Sequence, residues 1–326
     1  MPEQSKDPHS ETKRTVYIAL LANVTIAVAK AIGGIASGSA AMLAESAHSV
    51  ADTTNQVFLR ISLSRAERGS DERHPFGYGQ ERFFWAFLAA VFIFCAGALF
   101  SIFEGVERLV SDSAEEGGFW ISIGVLVVAM AAEGTSLVRA LRQTRREARE
   151  RGLPMKRFIP ESRDPTAKTV VFEDSAAVIG LVLAMLGVTM HELTGSKAWD
   201  AGASIAVGVL LAGVAVALGR DVKGLLLGEA ALPEERDRMC EVLMHHEGVD
   251  QVIDLLTMAL GPNALLVAAR LDLSDGLDSD QVERLASRLD EALREAVPEV
   301  REVFIDPTSR SDGEGSGHGV SRARAG

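Results

Sequence analysis

Cysteine is nearly absent: the 326 residues hold two, Cys95 and Cys240, far apart and without a C-x-x-C spacing. That excludes a disulfide framework and a thiolate zinc module, and leaves two free, packed thiols in a reducing compartment. Aromatic residues make up only 6%, and neither G-x-S-x-G nor H-E-x-x-H occurs, so two common hydrolase signatures are missing. Basic charge is short as well, with 33 Lys and Arg against 45 Asp and Glu. Residues 225–306 alone carry 19 acidic and 7 basic side chains, a net of −12 that equals the net of the whole chain. Such a segment excludes nucleic acid and favours cations as partners. The first 14 residues include Glu3, Asp7 and Glu11, which fits neither a secretory signal nor an acid-poor transit peptide.

Apolar residues are plentiful, at 47% with a positive mean hydropathy of +0.15. Runs at about 15–36, 83–106, 119–141, 169–190 and 201–219 are long enough to span a hydrocarbon layer of roughly 30 Å, which needs about 20 residues. A sixth stretch, 39–63, scores poorly by hydropathy, yet loop charge argues for counting it. Basic residues gather at Lys13 and Arg14, at 64–82, at 142–157 and at Arg220 with Lys223, whereas the other connections are poor in them. Six spans put every basic segment on one face, and five would scatter them over both. The expected architecture is an α-helical membrane protein, a six-span bundle with both termini cytoplasmic.

The stretch 39–59 carries Glu45, His48, Asp52 and Asn55 at steps of three and four, which places them on one helical stripe. Ala40, Ala44, Ala47 and Ala51 let neighbouring helices approach closely. An imidazole and a carboxylate one turn apart can grip one divalent cation, and ionisable groups at membrane depth usually line an ion path. The other spans add Glu133, the pair Glu173 and Asp174, and Asn23, while Lys30 and Asp200 are read as satisfied groups near helix ends. Glu133 can relay protons or brace the ligands.

After Gly228 the pattern changes. Pro233 opens a helix to about His246, and residues 249–260 alternate with Ile253, Leu255, Thr257 and Ala259 on one face. A Gly-Pro-Asn turn leads into a second alternating strand at 265–273, a helix follows with Leu285, Leu289 and Leu293 at helical spacing, and 300–306 is a last strand. The order α-β-β-α-β is a small α+β open-faced sandwich. The expected organisation is a tail at 1–14, a six-helix transmembrane domain at 15–224, a small cytoplasmic α+β domain at 225–307, and a disordered tail at 308–326, where His318 carries no weight. His245 and His246 read as a wet helix end.

Three motifs carry a resemblance: SAAMLAESAHSVADTTNQ in the second span, RHPFGYGQERFFW leading into the third, and VVFEDSAAVIG in the fifth. With the topology and the terminal domain, the chain resembles the cation diffusion facilitator family, in the branch that includes an organellar zinc transporter. The resemblance spans about residues 13–306. It implies exchange of a divalent metal cation for protons, a cell (inner) membrane location, a homodimer, a metallochaperone-like cytoplasmic domain, and no cofactor beyond the transported ion, zinc in the first place. It further implies that His48, Asp52 and Asp174 are metal ligands. The remaining ligand of the family falls on Val170, which cannot bind metal, and Glu173 or else Glu45 is the expected replacement. A set with one His and several carboxylates is harder than the usual site, so manganese, iron or cobalt stand as alternatives. In the 71–78 loop, Asp71 and His74 match a second family metal site, but Tyr78 stands where its other His would be, and a simple turn explains the loop equally well. A metal-dependent intramembrane enzyme and a non-transporting metal sensor are the rival readings.

Overall fold

The structure, a computed structural model, describes residues 8–111, 118–150, 152, 154–161, 163 and 165–308. Most of the 1–14 tail, the acidic connection at 112–117 and the tail beyond 308 lie outside the described residues. Those residues divide into two compact units, one within Met1–Arg65 and Arg82–Lys223, the other within Ala66–Glu81 and Gly224–Gly326.

The first unit is helical: α1 (Pro8–Ser37), α2 (Ala40–Ala66), α3 (Glu81–Phe92) running through a π-helical segment (Ile93–Leu99) into α4 (Phe100–Val110), α5 (Phe119–Glu150), α6 (Met155–Glu161), α7 (Pro165–Thr194) and α8 (Lys197–Leu226). Among the described residues four stretches are long and apolar enough to cross a membrane: Glu81–Val110, Phe119–Glu150, Lys168–Thr194 and Lys197–Leu226. Asn23–Ser37 is apolar but shorter, and α2 falls outside this group because its charged stripe lowers its hydropathy. The outward surface is strongly apolar, with Trp120, Val128 and Phe103 each more than 60% exposed, as a lipid-facing surface requires. Cys95 also lies on this outer face, contrary to its expected packing.

Small residues fill the interior. Ala44, Ala51, Ala90, Ala98, Ala176 and Ala215 form one cluster with Ile93, Val207, Leu211 and Leu218. Glycine lets α4 and α8 approach backbone to backbone: a Cβ on Gly105 would stand 2.8 Å from the Ala201 carbonyl oxygen, and one on Gly208 would stand 2.9 Å from that of Ala98. Close approach through small residues is how helices associate where lipid removes the hydrophobic drive. Gly105→Val is expected to destabilise the unit by about 1–3 kcal/mol through overpacking, read as an earlier thermal transition of the detergent-solubilised chain.

The second unit contains α9 (Pro233–His245), β1 (Val249–Gly261), β2 (Ala264–Leu273), α10 (Ser279–Ala296) and β3 (Val300–Pro307), with sheet order β1-β2-β3. The hairpin β1–β2 is antiparallel, and β3 pairs parallel to β2 after the α10 crossover. Pro233 stands at the start of α9, and Asp278 caps α10 by accepting from the Gln281 amide at 2.8 Å. Leu285, Leu289 and Leu293 bury against Leu265, Val267, Ala269 and Leu271 in one core, which also takes in Cys240. In β1 the early core residue is Val252 rather than Ile253, because irregularities between Val249 and Gln251 and between Val252 and Asp254 shift the alternation.

Candidate metal centre

The stripe on α2 turns inward. Glu45, His48 and Asn55 are buried and Asp52 is half-buried, so a surface helix with a wet polar face is excluded. Apolar Val50 and Val57 face outward instead. This inversion is the arrangement of a helix whose polar side chains meet other helices.

A cavity of about 520 Å³ opens beside the stripe. Asp52 of α2, Glu133, Ser136 and Arg139 of α5, Asn23 of α1, and Val170 with Asp174 of α7 line it. Asp52 and Asp174, the matched acidic pair, therefore share one cavity, and Val170 adds an apolar patch beside them. Asn23 and Gln56 donate their side-chain amides to the same oxygen of Asp52, at 3.3 and 3.2 Å. Such outer donors orient a ligating carboxylate and fix which lone pairs remain. Arg139, which the sequence reading did not single out, brings a positive charge to the wall facing Asp174.

His48 and Glu173 stand apart from the cavity wall. His48 is 3% exposed, and neither ring nitrogen has a hydrogen-bond partner among the described residues. Glu173 accepts a hydrogen bond from the Asn55 side-chain amide at 2.5 Å with one oxygen, and its other oxygen has no partner among the described residues. A buried polar atom left without a partner is costly, and His48, Glu173 and Asp174 carry four such atoms among the described residues. Among the described residues no three His, Cys, Asp or Glu side chains converge closely enough to hold one ion, so any shared coordination requires side-chain movement.

Glu45 has a different partner. Lys30, fully buried, reaches its Oε2 at 3.1 Å and the Ser49 hydroxyl at 2.8 Å. Its Oε1 lies against Gly180 of α7, where any Cβ would collide with it. Asp200, at the start of α8, accepts from the Ser39 hydroxyl and the Ala40 amide, each at 2.6 Å, and from the Ala41 amide at 3.3 Å. It is thus a cap for α2 supplied by another helix.

In the second unit, Asp71 closes a turn. Its Oδ1 accepts from the Arg73 and His74 amides at 2.9 and 2.7 Å, and its Oδ2 accepts from the Tyr78 hydroxyl at 2.6 Å. The His74 ring packs on Tyr78 with centroids 4.2 Å apart. The Tyr78 hydroxyl, together with the two amides, holds the Asp71 carboxyl below its ordinary range. A lowered native value means the turn gains stability above the unfolded value of about 3.9 and loses it as pH falls through the native one. The chain has two tyrosines. The tyrosine-ring resonance of Tyr78 is accordingly expected to move to an unfolded position only below about pH 4. His245 and His246 face solvent and bond backbone carbonyls of Glu241 and Glu247.

Two family descriptions match this chain: the cation efflux transmembrane domain over residues 16–227 and the cytoplasmic domain of cation efflux proteins over residues 231–307. The chain belongs to the cation efflux, or cation diffusion facilitator, family, whose members are transporters rather than enzymes. Metal tolerance protein C4 of Arabidopsis thaliana is 33% identical over 270 residues, which cover 82% of this chain and 58% of that protein. The mitochondrial proton-coupled zinc antiporter SLC30A9 of Homo sapiens is 29% identical over 299 residues, covering 90% of this chain and 52% of the relative. The chain spans little more than half the length of these two. The cation-efflux pump FieF of Serratia proteamaculans (strain 568) is 27% identical over 283 residues, with 85% and 86% of the two chains covered.

Proposed function

We propose that the chain moves a divalent metal cation, zinc first, across a membrane in exchange for protons. Asp52 and Asp174 are its acidic ligands, His48 its nitrogen ligand and Glu173 the replacement for the ligand missing at Val170. One observation carries this reading: the two aspartates, from different helices, face one cavity, and one turn before Asp52 on α2 lies a buried imidazole whose nitrogens are both unpartnered among the described residues. Glu45 is the weaker choice for the fourth place because Lys30 already holds it. Three oxygens-bearing ligands beside one imidazole also admit manganese, iron or cobalt.

The reading includes six spans, α2 among them, with both termini cytoplasmic in a cell membrane and two copies joined through the terminal domain. The basic ends of α5 and α8 support a cytoplasmic position for the side from which the ion enters. Metal ligands bind only when deprotonated, so protons arriving from the far side compete at His48 and the aspartates and free the ion. Rocking of the helices then exposes the site to alternate faces, as in other secondary transporters. Glu133, on the same cavity wall, braces the ligands or passes the proton. The loop at Asp71 and His74 serves as a brace, its carboxylate oxygens already engaged.

The test is uptake of zinc, manganese, iron and cobalt into proteoliposomes under an imposed pH gradient, with internal pH followed in parallel. Zinc uptake coupled to opposite proton flow is expected. Metal binding without uptake would replace this reading by that of a metal sensor, the alternative that the apolar residue at position 170 supports.

A further inference from the structure

Lys30 has no part in the exchange, yet with Glu45 it forms a fully buried charge pair beside the site. Its ammonium is enclosed by α1 and α2 and bonded to Glu45 and Ser49. At 100° per residue, Glu45 lies only about 60° around the α2 helix from His48, so a free Glu45 carboxylate can swing onto the His48–Asp52 stripe. Its Oε1 has no hydrogen-bond partner among the described residues, so Lys30 alone holds it by a charged contact. The charge of Lys30 also acts on His48, Asp52 and Glu133.

We infer that Lys30 is a specificity-determining residue, a tethered cation that withdraws Glu45 from the transported ion and so limits how many carboxylates the ion meets. The inference rests on the proposed transport reading for its site. Each carboxylate added to a site favours hard, oxygen-seeking cations such as manganese over zinc. With Lys30 present, Glu45 is neutralised and the ion meets His48 with the remaining acids. Without it, Glu45 joins them.

The experiment uses the full chain and two readouts, zinc and manganese binding by calorimetry in detergent and uptake of the same two metals into proteoliposomes. Lys30→Met is expected to shift the manganese-to-zinc preference toward manganese by about tenfold. The double variant Lys30→Met with Glu45→Gln, which removes both charges together, is expected to return the preference to that of the parent. Glu45→Gln alone leaves Lys30 uncompensated near the ion and is expected to weaken both metals by roughly tenfold without changing their ratio. An unchanged ratio in a folded Lys30→Met chain overturns the inference. Where that variant does not fold, Glu45→Gln decides: unweakened binding of both metals overturns it equally. A parent that binds metal but moves none refutes the transport reading and leaves the binding ratios to judge Lys30.

Discussion

Asp52→Asn is expected to abolish metal-driven proton flux in proteoliposomes, with a fall in metal affinity of more than about 100-fold. The bound follows from a comparison. Removing a group that only orients a ligand commonly costs 10–100-fold in affinity, and loss of the charged ligand itself exceeds that. Here the orienting groups are visible: Asn23 and Gln56 both donate to Asp52, at 3.3 and 3.2 Å. The substitution keeps the shape and leaves an amide oxygen for those donors, so the bundle is expected to fold with an unaltered melting transition. Asn23→Leu supplies the contrast, since it removes one donor and leaves the charge. It is expected to weaken metal binding by about 10–100-fold while transport persists at raised metal concentration. Full transport by Asp52→Asn would remove that residue from the site.

The terminal unit was the more legible part of the chain because its elements are set by local signals. Pro233, the turn at Pro262 and Asn263, and the leucines of α10 each act within a few residues of themselves, and the elements appear at those places. What escaped was the phase of β1. Irregularities at its start exchange Val252 for Ile253 in the core, and a bulge leaves no mark in an alternating pattern. In the helical unit, the i, i+3, i+4 spacing announced a polar stripe and the structure buries it. The partners of that stripe were not legible. The carboxylate of Asp200 caps α2 from a position 160 residues further along the chain, and Lys30 finds Glu45 across a helix pair. As satisfied groups near helix ends both fit their sequence reading, but the partners that satisfy them belong to another helix. Arg139 was equally invisible, since in sequence it is one more arginine near a basic run. The governing signal was available: an ionisable group at membrane depth demands a counter-charge, and the search belongs among the other spans.

That demand makes the Lys30–Glu45 pair the second large effect. Both side chains are fully buried and 3.1 Å apart. Breaking such a pair by removing one partner strands the other charge in a low-dielectric interior, which costs about 3–5 kcal/mol, whereas replacing both by apolar or neutral groups of like volume is often neutral or stabilising. Lys30→Met alone is therefore expected to lower the stability of the detergent-solubilised chain by about 3–5 kcal/mol, and the double variant with Glu45→Gln to recover most of it. Gly180 sharpens the expectation, because α7 stands directly against the other oxygen of the Glu45 carboxylate and places the pair inside the bundle. The measurement is a double-mutant cycle on thermal or denaturant unfolding, and the coupling between the two positions is the quantity that matters. A cycle in which the single losses simply add would mean that Lys30 and Glu45 do not neutralise one another, and that the charge of α1 is balanced elsewhere in the bundle.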